Sequence, residues 1–475
     1  MKKSPWATLV VLALAQFMVV LDVTIVNVAL PEMQVDLGFS PDNLQWVISA
    51  YTLAFGGFLL LGGRLGDVLG RRGVFTGGLA LFTAASLAGG LASSQAFLIA
   101  ARAVQGFGGA LMSAAALSIL TVTYAAGRER NIAMGIWGGL AGLGGTLGVV
   151  AGGVLVDALG WEWVFFVNVP IGLALLALTR STVADSRVVS DGPRSFDPAG
   201  AALGTGAVLA LIYGVIRSEP LGWGSGQVIG SLVAGAVLLG LFVVVESRSS
   251  APLVPLRLFR SRSLSQSTLV LGLNGGAFLA MFFLSALFLQ QGKGLSALQT
   301  GLQFLPMGVA AIAGALVATQ LLPRFGTRPV QVVSAIIAIG GLLLLAQATA
   351  DGSYVTELLP GFVLYGAGIM GVGVPAQISA LSQIEHADAG AASGIINTGY
   401  QVGGALGLAV ISSLATAAAT SSLADGASPT VALADAYERG LLLTAVLGLG
   451  ILVLAAASRQ LKPSAEEIAE LAVAA

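Results

Sequence analysis

A chain of 475 residues that is 56% hydrophobic and 9% charged, with a mean hydropathy of +0.91, cannot cover a soluble surface, for which about 25% charged residues are usual. A net charge of −1 gives no signal for nucleic acid. The absence of cysteine and the single histidine, His386, exclude disulfides, thiolate sites and histidine metal clusters, and no P-loop motif for nucleotide hydrolysis occurs.

Apolar runs of about 20 residues read as membrane-spanning helices. Fourteen follow in chain order, over 5–31, 43–63, 73–92, 95–121, 130–156, 162–180, 199–217, 226–246, 265–290, 299–321, 328–348, 356–381, 391–415 and 437–457. The first lacks a convincing cleavage site and reads as a retained helix. Lys and Arg collect in cytoplasmic loops. With the N-terminus inside, eighteen fall inside and three (Arg217, Lys293, Arg439) outside, while Arg102 lies within a helix. Both termini are therefore expected in the cytoplasm.

The chain repeats itself. Gly135, Ile136, Gly144, Gly145, Leu147 and Gly148 recur at a constant shift as Gly394, Ile395, Gly403, Gly404, Leu406 and Gly407. Leu65, Gly70 and Arg72 recur as Leu321, Gly326 and Arg328, and QGFGG (105–109) overlies YGAGI (365–369). The expected architecture is an all-α membrane protein of 14 transmembrane helices. Two parallel six-helix repeats, helices 1–6 and 9–14, are joined by two inserted helices, an arrangement of secondary transporters. The domains expected are an N-terminal bundle (1–180), a linker with helices 7 and 8 (181–264), a C-terminal bundle (265–457) and a cytoplasmic tail (458–475).

Four motifs carry a resemblance: LDVTIVNVALP (21–31), GGRLGDVLGRR (62–72), RAVQGFGGA (102–110) and WEWVFFVNVPIG (161–172). With them the chain resembles the major facilitator superfamily over nearly its whole length, specifically the fourteen-helix drug:proton antiporter branch. It departs from the branch in helix 5, where Val149 stands at a usual proline, at Glu162 in place of arginine, and at Pro323, where the second loop signature lacks its Asp. The resemblance implies a proton-coupled exporter working by alternating access. Gly63, Asp67, Gly70, Arg71 and Arg72 would hold the cytoplasmic gate. Gly144, Gly148, Gly152 and Gly153 would form a close-packed face of helix 5 that slides on a helix of the other repeat.

Asp22 lies inside the first span, where a carboxylate costs roughly 2.5–3.5 kcal/mol on insertion scales. It is about nine residues, or roughly 13 Å, from the outer end of its helix, and Arg102 lies roughly 10 Å from the outer end of helix 4. Two charges at similar depth suggest a pair. Asp22 then either exchanges a proton, with Arg102 pairing with it and releasing it as helices move, or forms a fixed ion pair that orders the bundle. Polar or aromatic residues that could line a cavity are Gln16, Asn27, Tyr51, Trp137, Asn274, Gln303, Tyr365, Gln377, Asn397, Tyr400 and Gln401. No acid stands at the centre of helices 9–14, so a lipophilic, neutral or monocationic substrate fits best. Asp157 and Glu162 flank the outer mouth and read as solvated.

The expected partners are a small-molecule substrate, protons and the lipid bilayer; the chain is expected to be monomeric, not an enzyme and without cofactor, metal or nucleic acid. The place expected is a bacterial inner membrane. The alternative is a facilitator, lipid translocator or metabolite importer without proton antiport.

Overall fold

The computed structural model describes residues 4–124, 133, 144, 147–148, 150–184, 197–249, 252, 254–382, 384 and 389–462. Every regular element among them is helical. In order these are α1 (Pro5–Asp36), α2 (Pro41–Leu44), α3 (Trp46–Leu69), α4 (Arg71–Gly90), α5 (Gln95–Thr123) and α6 (Val150–Leu159). Then come α7 (Trp163–Phe166), α8 (Asn168–Thr182), α9 (Pro198–Leu221), α10 (Gly226–Arg248) and α11 (Arg262–Leu287). The last are α12 (Ala297–Phe325), α13 (Thr327–Leu345), α14 (Leu359–Leu381), α15 (Ala389–Ala424) and α16 (Pro429–Ala456). A π turn, Phe288–Gly292, ends α11, and another, Tyr354–Leu358, leads into α14.

Among the described residues, 11 helices are long and apolar enough to cross a membrane, and three shorter apolar ones (Trp46–Leu59, Val150–Leu159 and Ala199–Val215) fall at the expected spans 2, 5 and 7. Local chemistry marks the helix ends. Ser94, Ser261, Ser296 and Ser428 accept a hydrogen bond from a first-turn N–H, and Asp197 does the same for α9. Pro5, Pro41, Pro198 and Pro429 stand in the first turn of their helices, where the missing N–H costs nothing.

The repeat is written into the backbone. Gly70 (φ 103°) is the one-residue joint between α3 and α4, and Gly326 (φ 81°) is the joint between α12 and α13. Gly38 (φ 66°) follows α1, as Gly294 (φ 67°) follows α11. Helix crossings repeat too. A Cβ on Gly106 would press on the Tyr51 carbonyl, and one on Gly366 on the Met307 carbonyl. Gly108 meets Gly78 and Phe82; Gly368 meets Ser334 and Ala338. Close backbone approach at small residues is how membrane helices gain packing without a hydrophobic drive.

The two halves meet at the outer side, as the positive-inside reading assigns it. One apolar cluster joins Ile25, Val28, Val47, Leu98 and Phe165 of the first half to Phe282, Leu289, Phe304, Leu408 and Tyr437 of the second. Gln290 Nε2 donates to the Val28 carbonyl (3.0 Å), Gln291 Nε2 to Gln34 Oε1 (2.7 Å) and Ser412 Oγ to Gln45 Oε1 (2.5 Å). Toward the inner side, two further clusters are each drawn from one side alone, Leu9–Val183 and Val254–Ile451. The inserted α9 lies against both α3 and α15, with Thr205 Oγ1 donating to the Gly57 carbonyl at 3.0 Å.

Candidate functional site

The N-terminal half holds a buried polar network at its centre. α1 brings Asp22, α5 brings Arg102 and Gln105, α4 brings Ser86, and α8 brings Asn168; all are at most 1% exposed. Arg102 Nη1 donates to Asp22 Oδ2 at 2.5 Å and to Gln105 Oε1 at 2.7 Å, and its Nε donates to the Val47 carbonyl at 2.9 Å. Gln105 Nε2 reaches Asp22 Oδ1 and Ser86 Oγ, both at 2.7 Å, and Asn168 Nδ2 donates to Asp22 Oδ1 at 2.9 Å. The guanidinium lies 4.3 Å from the Tyr51 ring centroid and 5.7 Å from that of Phe165. This ion pair is sealed from solvent, and every oxygen of Asp22 is occupied. Such pairing and hydrogen bonding are what a buried charge requires.

Asp22 and Arg102 thus meet as their shared depth predicts. Gln105, Ser86, Asn168 and Phe165 were not foreseen. For Gln105 a signal existed, since residues three apart share a helix face. Asn168 had none beyond lying in the WEWVFFVNVPIG stretch.

The second half lacks this network. Gly148 packs against Leu21 where Gly407 packs against Gly276, so Asp22 corresponds to Ala277. The other repeated crossings place Phe362 at the position of Arg102, Tyr365 at that of Gln105 and Leu342 at that of Ser86. Ala277, Leu342 and Tyr365 line a small cavity with Asn274 instead. Phe362 stands 5.3 Å from Phe304, which stacks on Phe282 at 4.3 Å. One half carries charge where the other carries aromatic and aliphatic side chains.

The remaining candidates are not gathered in one place. Gln16 accepts from Ser113 Oγ at 3.0 Å in the inner half of α1. Asn27 is buried at the closed outer side, donating to the Val23 carbonyl at 2.6 Å. Tyr51 belongs to the charge network. Asn274 and Tyr365 share the cavity of the second half, each with a buried oxygen that has no partner. Gln303 is partly buried on α12, with its carbonyl accepting from the Tyr354 hydroxyl at 2.7 Å. Gln377 and Asn397 are exposed, and Tyr400 and Gln401 are half-buried on α15, Gln401 against Gly56 of α3. Trp137 lies outside the described residues.

In the helix-5 motif, Gly144, Gly148 and Gly152 face Phe17, Leu21 and Ile25 of α1, inside their own half; only Gly153 crosses, to Ala297 and Leu298 of α12. The expected face against the other repeat is therefore mostly an internal seam. In the loop expected to form the cytoplasmic gate, Gly70 turns the chain from α3 into α4, Arg71 and Arg72 open α4 half-buried, and Gly63 faces open space. The side chain of Asp67 lies outside the described residues. Asp157 is exposed, as expected, and also accepts from Ser296 Oγ (2.7 Å) and the Leu298 N–H (3.3 Å) across the seam.

Two repeated helical halves, closed at one side and carrying a buried ion pair in a multi-pass membrane chain, define a transporter fold. Residues 12–408 match the sequence profile of the Major Facilitator Superfamily. The puromycin resistance protein of Streptomyces alboniger is 38% identical over 95% of this chain and 90% of its own length. The cephamycin export protein of Amycolatopsis lactamdurans is 42% identical over 86% of this chain and 85% of its own. A solved auto-inhibited peptide transporter of the POT family shares the fold, with a TM-score of 0.69 at 16% identity over 96% of this chain and 98% of that one. The chain belongs to the Major Facilitator Superfamily.

Proposed function

We propose that this chain is an efflux transporter of the bacterial inner membrane that exports lipophilic, neutral or monocationic antibiotic-like molecules in exchange for protons. The efflux part rests on relatives named for puromycin resistance, cephamycin export and tetracenomycin C resistance and export. The proton part rests on one observation: a carboxylate paired with arginine, buried in the half of the chain that alone carries charge at that position. Intramembrane acids that face a bundle interior are the usual proton carriers of transporters.

In this reading Asp22 takes a proton from the outer side and gives it up to the cytoplasm. Protonation removes one charge of the pair and weakens the tie between α1 and α5. The two six-helix halves, 1–180 and 265–457, rock about the centre, with helices 7 and 8 of the linker riding on the seam. The closed outer side corresponds to the inward-facing state, and the Gly63–Arg72 loop clasps the cytoplasmic side in the outward-facing one. Gln16, Tyr400 and Gln401 stand where the substrate path would run. The chain works as a monomer of fourteen spans with both termini in the cytoplasm.

A second reading has its own observation. Every oxygen of Asp22 is satisfied and the group is sealed, as in a fixed structural pair within a facilitator. Inside-out vesicles acidified inside, with a pH-gradient dye and added puromycin, separate the two. Puromycin discharges the gradient in the wild type and not in Asp22→Asn if the pair exchanges protons. Equal behaviour of both proteins, with labelled puromycin still equilibrating, leaves the facilitator.

A further inference from the structure

Asn168 is the first residue of α8, separated from the end of the short α7 by Val167 alone. It is fully buried, its Nδ2 donates to Asp22 Oδ1, and its own Oδ1 has no partner. An ionised carboxylate only accepts hydrogen bonds, whereas a carboxylic acid must also donate one. The neighbours of Asp22 differ in their ability to receive that bond. Arg102 has donors alone. Gln105 is held at both ends, its Oε1 by Arg102 and its Nε2 by Asp22 and Ser86. Ser86 accepts from Gln105 and donates to the Phe82 carbonyl at 2.9 Å. The Tyr51 hydroxyl is also unpartnered, but Tyr51 makes no hydrogen bond to Asp22; it lies under the guanidinium. The titratable side chains of this site are Arg102 from α5 and Tyr51 from α3. Gly144, Gly148 and Gly152 face Phe17, Leu21 and Ile25 of α1, and α4 and α8 bring the uncharged Ser86 and Asn168.

We propose that Asn168 is a positioning residue that reads the protonation state of Asp22 by turning its amide over. Nδ2–H faces the carboxylate, and Oδ1 faces the carboxylic acid. The proton comes from water, one O–H bond forms on Asp22 Oδ1, and Arg102 keeps its charge throughout. The turn exchanges an unpaired oxygen for an unpaired NH₂, so neither orientation is locked by its surroundings. Because Asn168 stands at the joint between α7 and α8, the reoriented amide carries the protonation state to the sixth span. This inference rests on the proton-exchange reading of Asp22.

The test uses the purified full chain and the proton itself as the probe, by infrared difference spectroscopy between alkaline and acid pH. The expected wild-type spectrum has a carboxylic acid band that is absent in Asp22→Asn. It also has a side-chain amide change that responds to isotope-labelled asparagine and is absent in Asn168→Leu. In Asn168→Leu the Asp22 band moves to the position of an acid without a hydrogen-bond acceptor. An Asp22 band unchanged in Asn168→Leu overturns the role of Asn168 and leaves proton exchange standing. The absence of any Asp22-dependent band overturns both. If Asn168→Leu does not fold, the labelled wild type decides: no asparagine band moving in step with the Asp22 band overturns the proposal.

Discussion

Asp157 caps the first turn of α12 across the seam between the halves, its Oδ2 accepting from Ser296 Oγ at 2.7 Å and from the Leu298 N–H at 3.3 Å. Ser296 already heads a capping box with Gln299, so the carboxylate adds charge to a terminus whose dipole favours it. In the proposed alternating-access cycle this contact breaks when the outer side opens. Asp157→Ala should remove about 1 kcal/mol from that state, raising the outward-to-inward ratio about fivefold. The chain has no cysteine of its own, so a single Val28→Cys substitution in the closed outer cluster reports the change. Maleimide should label it faster from outside when Asp157→Ala is added; an unchanged rate would show that the cap does not hold the closure.

The buried pair should reveal itself through non-additivity. Arg102→Met alone leaves the Asp22 carboxylate unpaired and should cost about 3–5 kcal/mol. Adding Asp22→Leu removes the stranded charge and should restore most of the loss, since an apolar pair of similar volume is often neutral. Thermal unfolding in detergent compares the three proteins. A double variant no more stable than Arg102→Met would mean that the charges do not interact.

The glycines divide by what a methyl group would meet. Gly106→Ala and Gly366→Ala each drive a Cβ onto the carbonyl of a neighbouring helix and should cost about 1–3 kcal/mol apiece. At Gly63 the added methyl meets open space, so Gly63→Ala should fold as well as the wild type. Comparable yields and melting temperatures for all three would contradict the close crossings.

Gly70 and Gly326 stand at positive φ in the one-residue joints of the two halves. Alanine at either should cost about 1–3 kcal/mol for the strained backbone. Both variants should lose thermal stability, and at Gly326 the added Cβ would in addition press on the Leu461 carbonyl. A tolerated Gly70→Ala would contradict the joint's geometry.

Outside the spans, Lys293 donates to the carbonyls of Thr349 (2.7 Å), Ala350 (3.1 Å) and Gly352 (2.7 Å). Burial holds its ammonium below the ordinary lysine value of 10.5, against the opposing pull of Glu357 and Asp351. Between the folded value and 10.5 the unfolded chain binds more protons, so this group makes stability rise with pH there. The melting temperature of the wild type relative to Lys293→Met should therefore climb across that window. A falling difference would reverse the sign.

The sequence by itself determined where the helices run, because a bilayer demands about twenty apolar residues per span and penalises every exception. It determined the repeat as well, since glycine spacing records where backbones touch: Gly70 with Gly326 and Gly106 with Gly366 fall in equivalent joints and crossings. It brought Asp22 and Arg102 to one depth, and their cost in lipid made a pairing the natural solution. Only the tertiary structure decided who completes that pair. Gln105 shares a helix face with Arg102, but Ser86 and Asn168 come from two other helices whose rotation no local pattern encodes, and a membrane Asn or Gln bonds to whatever faces it. The same holds for Asp157, an exposed acid that also becomes a cap once α12 is set beside α6. It holds too for Gly144, Gly148 and Gly152, whose every-fourth-residue spacing fixes a smooth face and leaves its partner, α1, to the folded chain.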